Sequence, residues 1–113
     1  MKQTESLKKT FEFRRVYTKG TSIANRLLVM YVLKNGQPYN RLGISVSKKV
    51  GNSVIRSRVT RLIRESYRLQ EEQVEIGYDI VIIARNTAKE ATYWEIDSAV
   101  KHLFKKHKIK KIL

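Results

Sequence analysis

Arg41-Leu-Gly-Ile-Ser-Val-Ser47 runs through Lys48-Lys-Val-Gly-Asn-Ser53 into Val54-Ile-Arg-Ser-Arg-Val-Thr-Arg-Leu-Ile-Arg-Glu-Ser-Tyr-Arg68. The opening residues alternate: Leu42, Ile44 and Val46 are apolar, while Gly43, Ser45 and Ser47 are small and polar. A period of two is that of a strand with one face on a core, and the small residues predict an open, shallow second face. The period then changes. Gly51 permits a tight entry and Asn52 or Ser53 can cap a helix. Ile55, Val59, Leu62, Ile63 and Tyr67 recur at helical spacing, which predicts a helix from about Ser53 to Gln70 with that stripe buried.

Downstream, Tyr78 to Ala84 is nearly continuously apolar, the pattern of a strand buried on both faces in parallel pairing. With the strand at 41–47 and the helix at 53–70 it forms a β-α-β unit, for which simple chain topology predicts a right-handed crossover. Thr92 to about His107 reads as a last helix, with Trp94, Ala99, Leu103 and Phe104 as inner positions. The strongly basic tail, about 105–113, is expected to fray.

Upstream, Thr10 to Lys19 reads as a helix ending at Gly20, with Phe13, Val16 and Tyr17 on one face and Arg14 and Arg15 elsewhere. Thr21 to Ala24 and Leu27 to Leu33 read as strands. Asn35-Gly36-Gln37-Pro38 supplies turn chemistry, so Arg41 to Ser47 is expected to return as the second arm of a hairpin. Neither an internal repeat nor a Pro/Gly/Ser-rich linker divides the chain. The expectation is an α+β fold: one domain over 1–113, an α-β-β-β-α-β-α sandwich with a four-stranded mixed sheet.

Charge dominates the composition. The 113 residues carry 24 Lys and Arg against 10 Asp and Glu, a formal net of +14. Such an excess repels itself in a compact state, and a polyanion is its natural partner; phosphate contacts gain from counterion release. The absence of Cys excludes disulfides, thiolate metal sites and a Cys nucleophile, and agrees with a reducing compartment. Met1 to Thr10 is polar and charged, and the longest apolar runs, Leu27 to Leu33 and Ile80 to Ala84, fall far short of the ~20 residues of a membrane span. A soluble, cytoplasmic protein without a membrane partner is expected.

At about 100° per residue, Arg58, Arg61, Arg64 and Arg68 share one arc opposite the apolar stripe, with Arg56 apart in the first turn. Lys48 and Lys49 extend the positive surface ahead of the helix, where free N–H groups also favour phosphate. Guanidinium pairs bidentately with phosphate and stacks on unpaired bases, and only Glu65 stands within the helix to neutralise these arginines. The face reads as a nucleic-acid contact. Aromatic residues form a second group: Phe13 and Tyr17 on one helix, and Tyr31 on a strand. Exposed rings stack on unpaired bases, and Gly43, Ser45 and Ser47 would leave room beside them; the competing reading is that all three rings are core.

No acid–base pair of an enzyme stands out. His102 and His107 read as part of a solvated basic helix end, and Glu71, Glu72 and Glu75 as a solvated connection rather than a metal site. Composition alone leaves open a structural RNA-binding protein, such as a small ribosomal protein of similar fold.

The motifs go further. The segment from Ser45 to Arg68 resembles the signature of the bacterial ribonuclease P protein subunit, often called the RNR motif. Leu7-Lys8-Lys9, Glu12-Phe13, Ala24-Asn25-Arg26, Arg41 to Lys49 and Ile83-Ala84-Arg85 extend the resemblance over almost the whole chain. Two positions depart from the family pattern: Ser57 stands where an Asn is usual and Thr60 where a Lys is usual. The resemblance implies a subunit that binds a catalytic RNA through Lys48, Lys49, Arg56, Arg58, Arg61, Arg64 and Arg68, with Phe13, Tyr17 and Tyr31 lining a cleft for the 5′ leader of precursor tRNA. It implies that the RNA performs the cleavage with magnesium ions (Mg2+) bound mainly by itself, and that the β-α-β crossover is left-handed, against the general rule.

Overall fold

The computed structural model describes residues 3–112. Along the chain run β1 (Thr4–Ser6), α1 (Thr10–Lys19), β2 (Thr21–Ala24), β3 (Leu28–Lys34), β4 (Asn40–Ser45), α2 (Ser53–Gln70), β5 (Tyr78–Ala84) and α3 (Tyr93–Lys106). Short 3-10 turns at Glu71–Gln73 and Asn86–Glu90 flank β5. The α+β class and the order of the main elements agree with the sequence. The sheet has five strands rather than four, because Thr4–Ser6 adds a parallel edge beside β4. That edge is held from the helical layer, where the Tyr67 hydroxyl lies 2.8 Å from the Thr4 hydroxyl.

The expected hairpin does not form. The sheet order is β1-β4-β5-β3-β2, so β5 lies between β3 and β4, antiparallel to the first and parallel to the second. The 35–38 turn therefore spans a whole strand instead of closing a two-stranded ribbon. Asn35 wraps it around the start of β5: its N–H donates to the Gly77 carbonyl (2.9 Å) and its side-chain amide to Asp79 Oδ1 (3.0 Å). Turn chemistry is local, whereas burying both faces and both edges of the apolar β5 is a whole-molecule gain of roughly 1.5–3 kcal/mol per large side chain. The second effect wins.

Side chains alternate across the sheet and build two cores. Leu28, Met30 and Val32 of β3, Leu42 of β4, and Ile80, Ile82 and Ala84 of β5 face α2 and α3, meeting Val59, Ile63 and Tyr67 on one helix and Ile96, Val100, Leu103 and Phe104 on the other. On the opposite face α1 covers only part of the sheet, with Val16, Val81 and Leu7 buried and Phe13, Tyr31, Leu33 and Ile83 half-buried. A buried polar knot locks α3 on α2. Ser66 donates to Asp97 Oδ1 at 2.8 Å, Gln70 donates to Ser66 Oγ at 3.0 Å, and Lys101 pairs with Asp97 at 2.9 Å.

Three local expectations are corrected. Trp94 is not an inner position but is 77% exposed, since it lies about 200° round the helix from the fully buried Ile96. The basic tail is tied down as far as Lys111: Ile109 is buried, Val74 bridges Lys110, and the Lys111 N–H donates to the Gln73 carbonyl; Leu113 lies outside the described residues. Glu71, expected in a solvated connection, is buried, and its carboxylate accepts from the Gln3 N–H.

Candidate nucleic-acid interface

Cross-strand register sets out the partly covered face in rows. One row holds Arg41, Asp79 and Leu33, the next Gly43, Val81, Tyr31 and Ser22, and the third Ser45, Ile83, Val29 and Ala24. α1 lies over the first two rows. Its Phe13 ring rests where Gly43 has no side chain: a Cβ there would stand 2.4 Å from the ring. The third row keeps only small and apolar side chains and is left half-buried or exposed. This row is the floor of an open groove.

Tyr17 and Tyr31 form the wall of that groove. Their rings meet edge to face with centroids 5.0 Å apart, and Phe13 continues the line at 6.4 Å from Tyr17. Burial raises the Tyr17 hydroxyl above its ordinary pKa, against the opposing pull of the Ser45 hydroxyl, so it stays a neutral donor and acceptor. The structure thus gathers the three aromatic residues singled out in the sequence, but not equally. Phe13 and Tyr31 are half-buried against the small core, and Tyr17 is the most exposed of the three.

The position of α1 over this face depends on ion pairs the sequence reading missed. Glu12 Oε1 accepts from the Lys8 and Lys9 N–H groups, capping the helix, while Oε2 pairs with Arg41 at 2.7 Å. Those backbone bonds, more than Arg41, hold its carboxyl below the usual glutamate range. Arg41 in turn grips Asp79 with Nε and NH2 at 2.8 and 2.6 Å. The available signal was a charged residue inside the apolar run of β5, which demands a buried partner.

The α2 arginines divide. Arg61 and Arg64 are exposed and have no hydrogen bond or ion pair among the described residues. Arg68 pairs with Glu65, the one acid the sequence offered. Arg58 is half-buried and donates to the Ala91 carbonyl at 2.8 Å, fastening α2 to the loop before α3. Arg56 is also half-buried, with its Nε lacking a partner. Lys48 and Lys49 are exposed ahead of the Asn52 cap, whose Oδ1 accepts from the Ile55 N–H at 3.0 Å. At the β1 edge Arg64 and Phe13 line one hollow of about 340 Å³ with Thr4, Leu7 and Gly43, so the arginine face reaches the outer end of the aromatic line. His107 is not solvated as expected: its Nε2 donates to the Met30 carbonyl at 2.9 Å, and burial lowers its pKa.

A sheet face left open beside two tyrosines, with exposed arginines on the helical layer behind it, makes this a small, strongly basic α+β protein with surfaces suited to a polyanion. The ribonuclease P family model matches residues 1–108, and the chain belongs to that family. It is 58% identical over 106 residues to the ribonuclease P protein component of Alkaliphilus oremlandii, covering 94% of this chain and 93% of the relative. It is 53% identical over 105 residues to the component from Clostridioides difficile, covering 92% of each. Among solved structures, the RNase P protein of Staphylococcus aureus superposes with a TM-score of 0.82 at 38% identity, covering 94% of this chain and 97% of that one. The RNase P protein of Thermotoga maritima gives 0.83 at 30% identity, covering 90% and 96%. The family match displaces the ribosomal alternative. Among the described residues, no helix is long and apolar enough to cross a membrane.

Proposed function

We propose that this chain is the RNA-binding subunit of ribonuclease P and promotes removal of the 5′ leader from precursor tRNA, with the catalytic RNA performing the cleavage. The observation that carries the reading is the uncovered third row of the sheet beside Tyr17 and Tyr31, a groove with room for unpaired nucleotides and rings to stack on them. Arg61, Arg64, Lys48 and Lys49, whose side chains have no partner among the described residues, supply phosphate contacts to the catalytic RNA; Arg56, Arg58 and Arg68 add to that surface from partly engaged positions. Ser57 and Thr60 bring neither amide nor ammonium to the contact, and the Thr60 hydroxyl is spent on the Arg56 carbonyl at 2.8 Å.

In this reading magnesium would be bound mainly by the RNA, where it would supply charge neutralisation at the scissile phosphate. The chain's own work in this reading is to bind and orient the two RNAs through its exposed basic and aromatic side chains. The reading assigns the chain to the cytoplasm, in keeping with its cysteine-free sequence. The test is cleavage of precursor tRNA by a ribonuclease P RNA with and without the protein. The protein should raise cleavage at moderate salt and show none alone; cleavage by rigorously RNA-free protein overturns the division of labour.

A further inference from the structure

The largest exposed aromatic side chain is on neither surface described so far. Trp94 stands near the start of α3, on the helical layer, across the sheet from the tyrosine groove. An indole offers 150–250 Å² of mostly apolar area, and leaving it 77% exposed forgoes a large burial gain. Nothing in the core requires it there, since Ile96, Val100 and Leu103 already fill the buried face of α3.

Its surroundings have the composition of a strand-binding platform. Trp94, Ser98 and His102 succeed one another by one helical turn, so the two rings lie about 12 Å apart along the axis. Two shallow hollows share these three residues. One, of about 520 Å³, is completed by Asn25, Arg26, Leu27, Glu95 and Ala99; the other, of about 400 Å³, by Asp97, Lys101 and Lys105. The acids are already matched, Glu95 with Arg26 at 3.5 Å and Asp97 with Lys101 at 2.9 Å, which leaves Lys105 as uncompensated charge. The protein's overall excess of +14 reinforces that sign.

Asn25 fixes the second ring. Its Oδ1 accepts from the Leu27 and Leu28 N–H groups at 3.2 and 3.0 Å, which settles the amide orientation. Its Nδ2 therefore donates, to the Ala99 carbonyl at 3.0 Å and to His102 Nδ1 at 3.2 Å. With Nδ1 an acceptor, neutral His102 carries its proton on Nε2, a donor turned away from Asn25. A held imidazole, an exposed indole braced edge to face by Tyr93 at 5.3 Å between centroids, and cations along the rim are what sequence-tolerant stacking of single-stranded nucleic acid requires.

We infer that the Trp94–Ser98–His102 stripe of α3, rimmed by Arg26, Lys101 and Lys105, is a second single-stranded RNA contact, stacking unpaired bases on Trp94 and His102. It is separate from the groove and the α2 arginines, and rests on the proposed function only in taking the polyanion to be RNA. Trp94 is the chain's single tryptophan, so its fluorescence reports this site directly.

The experiment titrates the full chain with oligoadenylate of about eight nucleotides, within the span of single-strand sites. Saturable quenching of Trp94 is expected, unchanged in Tyr31→Leu, and weakened several-fold in His102→Ala and in Lys101→Ala/Lys105→Ala. Anisotropy of labelled oligonucleotide, read in the Tyr31→Leu background, should show Trp94→Leu weakening binding about tenfold. Binding by anisotropy without quenching, quenching abolished by Tyr31→Leu, or no binding at all overturns the inference. So does Trp94-dependent self-association in sedimentation, which would assign the stripe to a second copy. Because no catalytic RNA is present, failure here is distinct from failure of precursor cleavage.

Discussion

Arg41 reaches across from β4 and clasps the fully buried Asp79 of β5 with two parallel hydrogen bonds, at 2.8 and 2.6 Å, while a third nitrogen holds Glu12 of α1 at 2.7 Å. A single guanidinium thus joins two strands and the helix that lies on them, and the height of α1 above the groove is set at this point.

Removing that guanidinium leaves the buried Asp79 carboxylate with only the Asn35 amide at 3.0 Å and Arg15 at 4.0 Å. Arg41→Ala should cost about 3 kcal/mol, because the penalty falls on an under-compensated buried charge rather than on a lost surface pair. Glu12→Gln leaves Asp79 satisfied and should cost about 1 kcal/mol through its weakened cap and ion pair. Urea denaturation of the two variants checks the order; equal losses would show that Asp79 does not depend on Arg41.

Acid should act in two stages. Burial, opposed by the bond to Met30, depresses the folded pKa of His107 below its ordinary 6.5. The unfolded chain then takes up the proton first, so this contribution is complete above the ordinary value and declines as pH falls toward the folded one. Glu12, also depressed, contributes above the ordinary glutamate range and is lost only as pH falls through its folded value. Stability measured from pH 7 to 5 should fall less steeply in His107→Gln than in the parent chain. Identical slopes would remove His107 from the account.

The arginines of α2 should separate into two behaviours. Arg61→Ala and Arg64→Ala should each lower the salt slope of RNA binding by about one contact and leave stability unchanged. Arg58→Ala should also destabilise the fold by about 1.5 kcal/mol through loss of its bond to the Ala91 carbonyl. Parallel salt titrations and thermal melts distinguish them, and three variants behaving alike would contradict the partition.

Tyr17→Leu and Tyr31→Leu keep apolar bulk while removing the rings that wall the groove. Each should weaken holoenzyme binding of precursor tRNA by up to ~1–3 kcal/mol and spare mature tRNA, which has no leader to lie there. If affinity for both RNAs falls equally, or neither moves, the rings are packing only.

Much of this was readable along the chain. The bounds of α1, α2 and β5 follow from period and capping, and the Leu42/Ile44 and Gly43/Ser45 faces fall on opposite sides of the sheet as alternation requires. What escaped was non-local. Thr4-Glu5-Ser6 has no apolar alternation and is a strand only because β4 lends it an edge. The 35–38 turn looked like a hairpin because nothing within it announces Asp79, more than forty residues later, as the partner of Asn35. Trp94 is the exception: its angular distance from Ala99 and Leu103, about 140° and 180°, was available from spacing, and hydrophobicity alone drew it inward.

The insertion of β5 between β3 and β4 also bears on how the chain is made. When the ribosome has released residues through the end of α2, both arms around the 35–38 turn are present and the strand that separates them is not. The two must be held about 9.6 Å apart, twice the spacing of adjacent strands, or they zip together and close the slot. Asp79 enters that slot between Asn35 and Arg41, so the native strand order can be completed only after β5 has emerged.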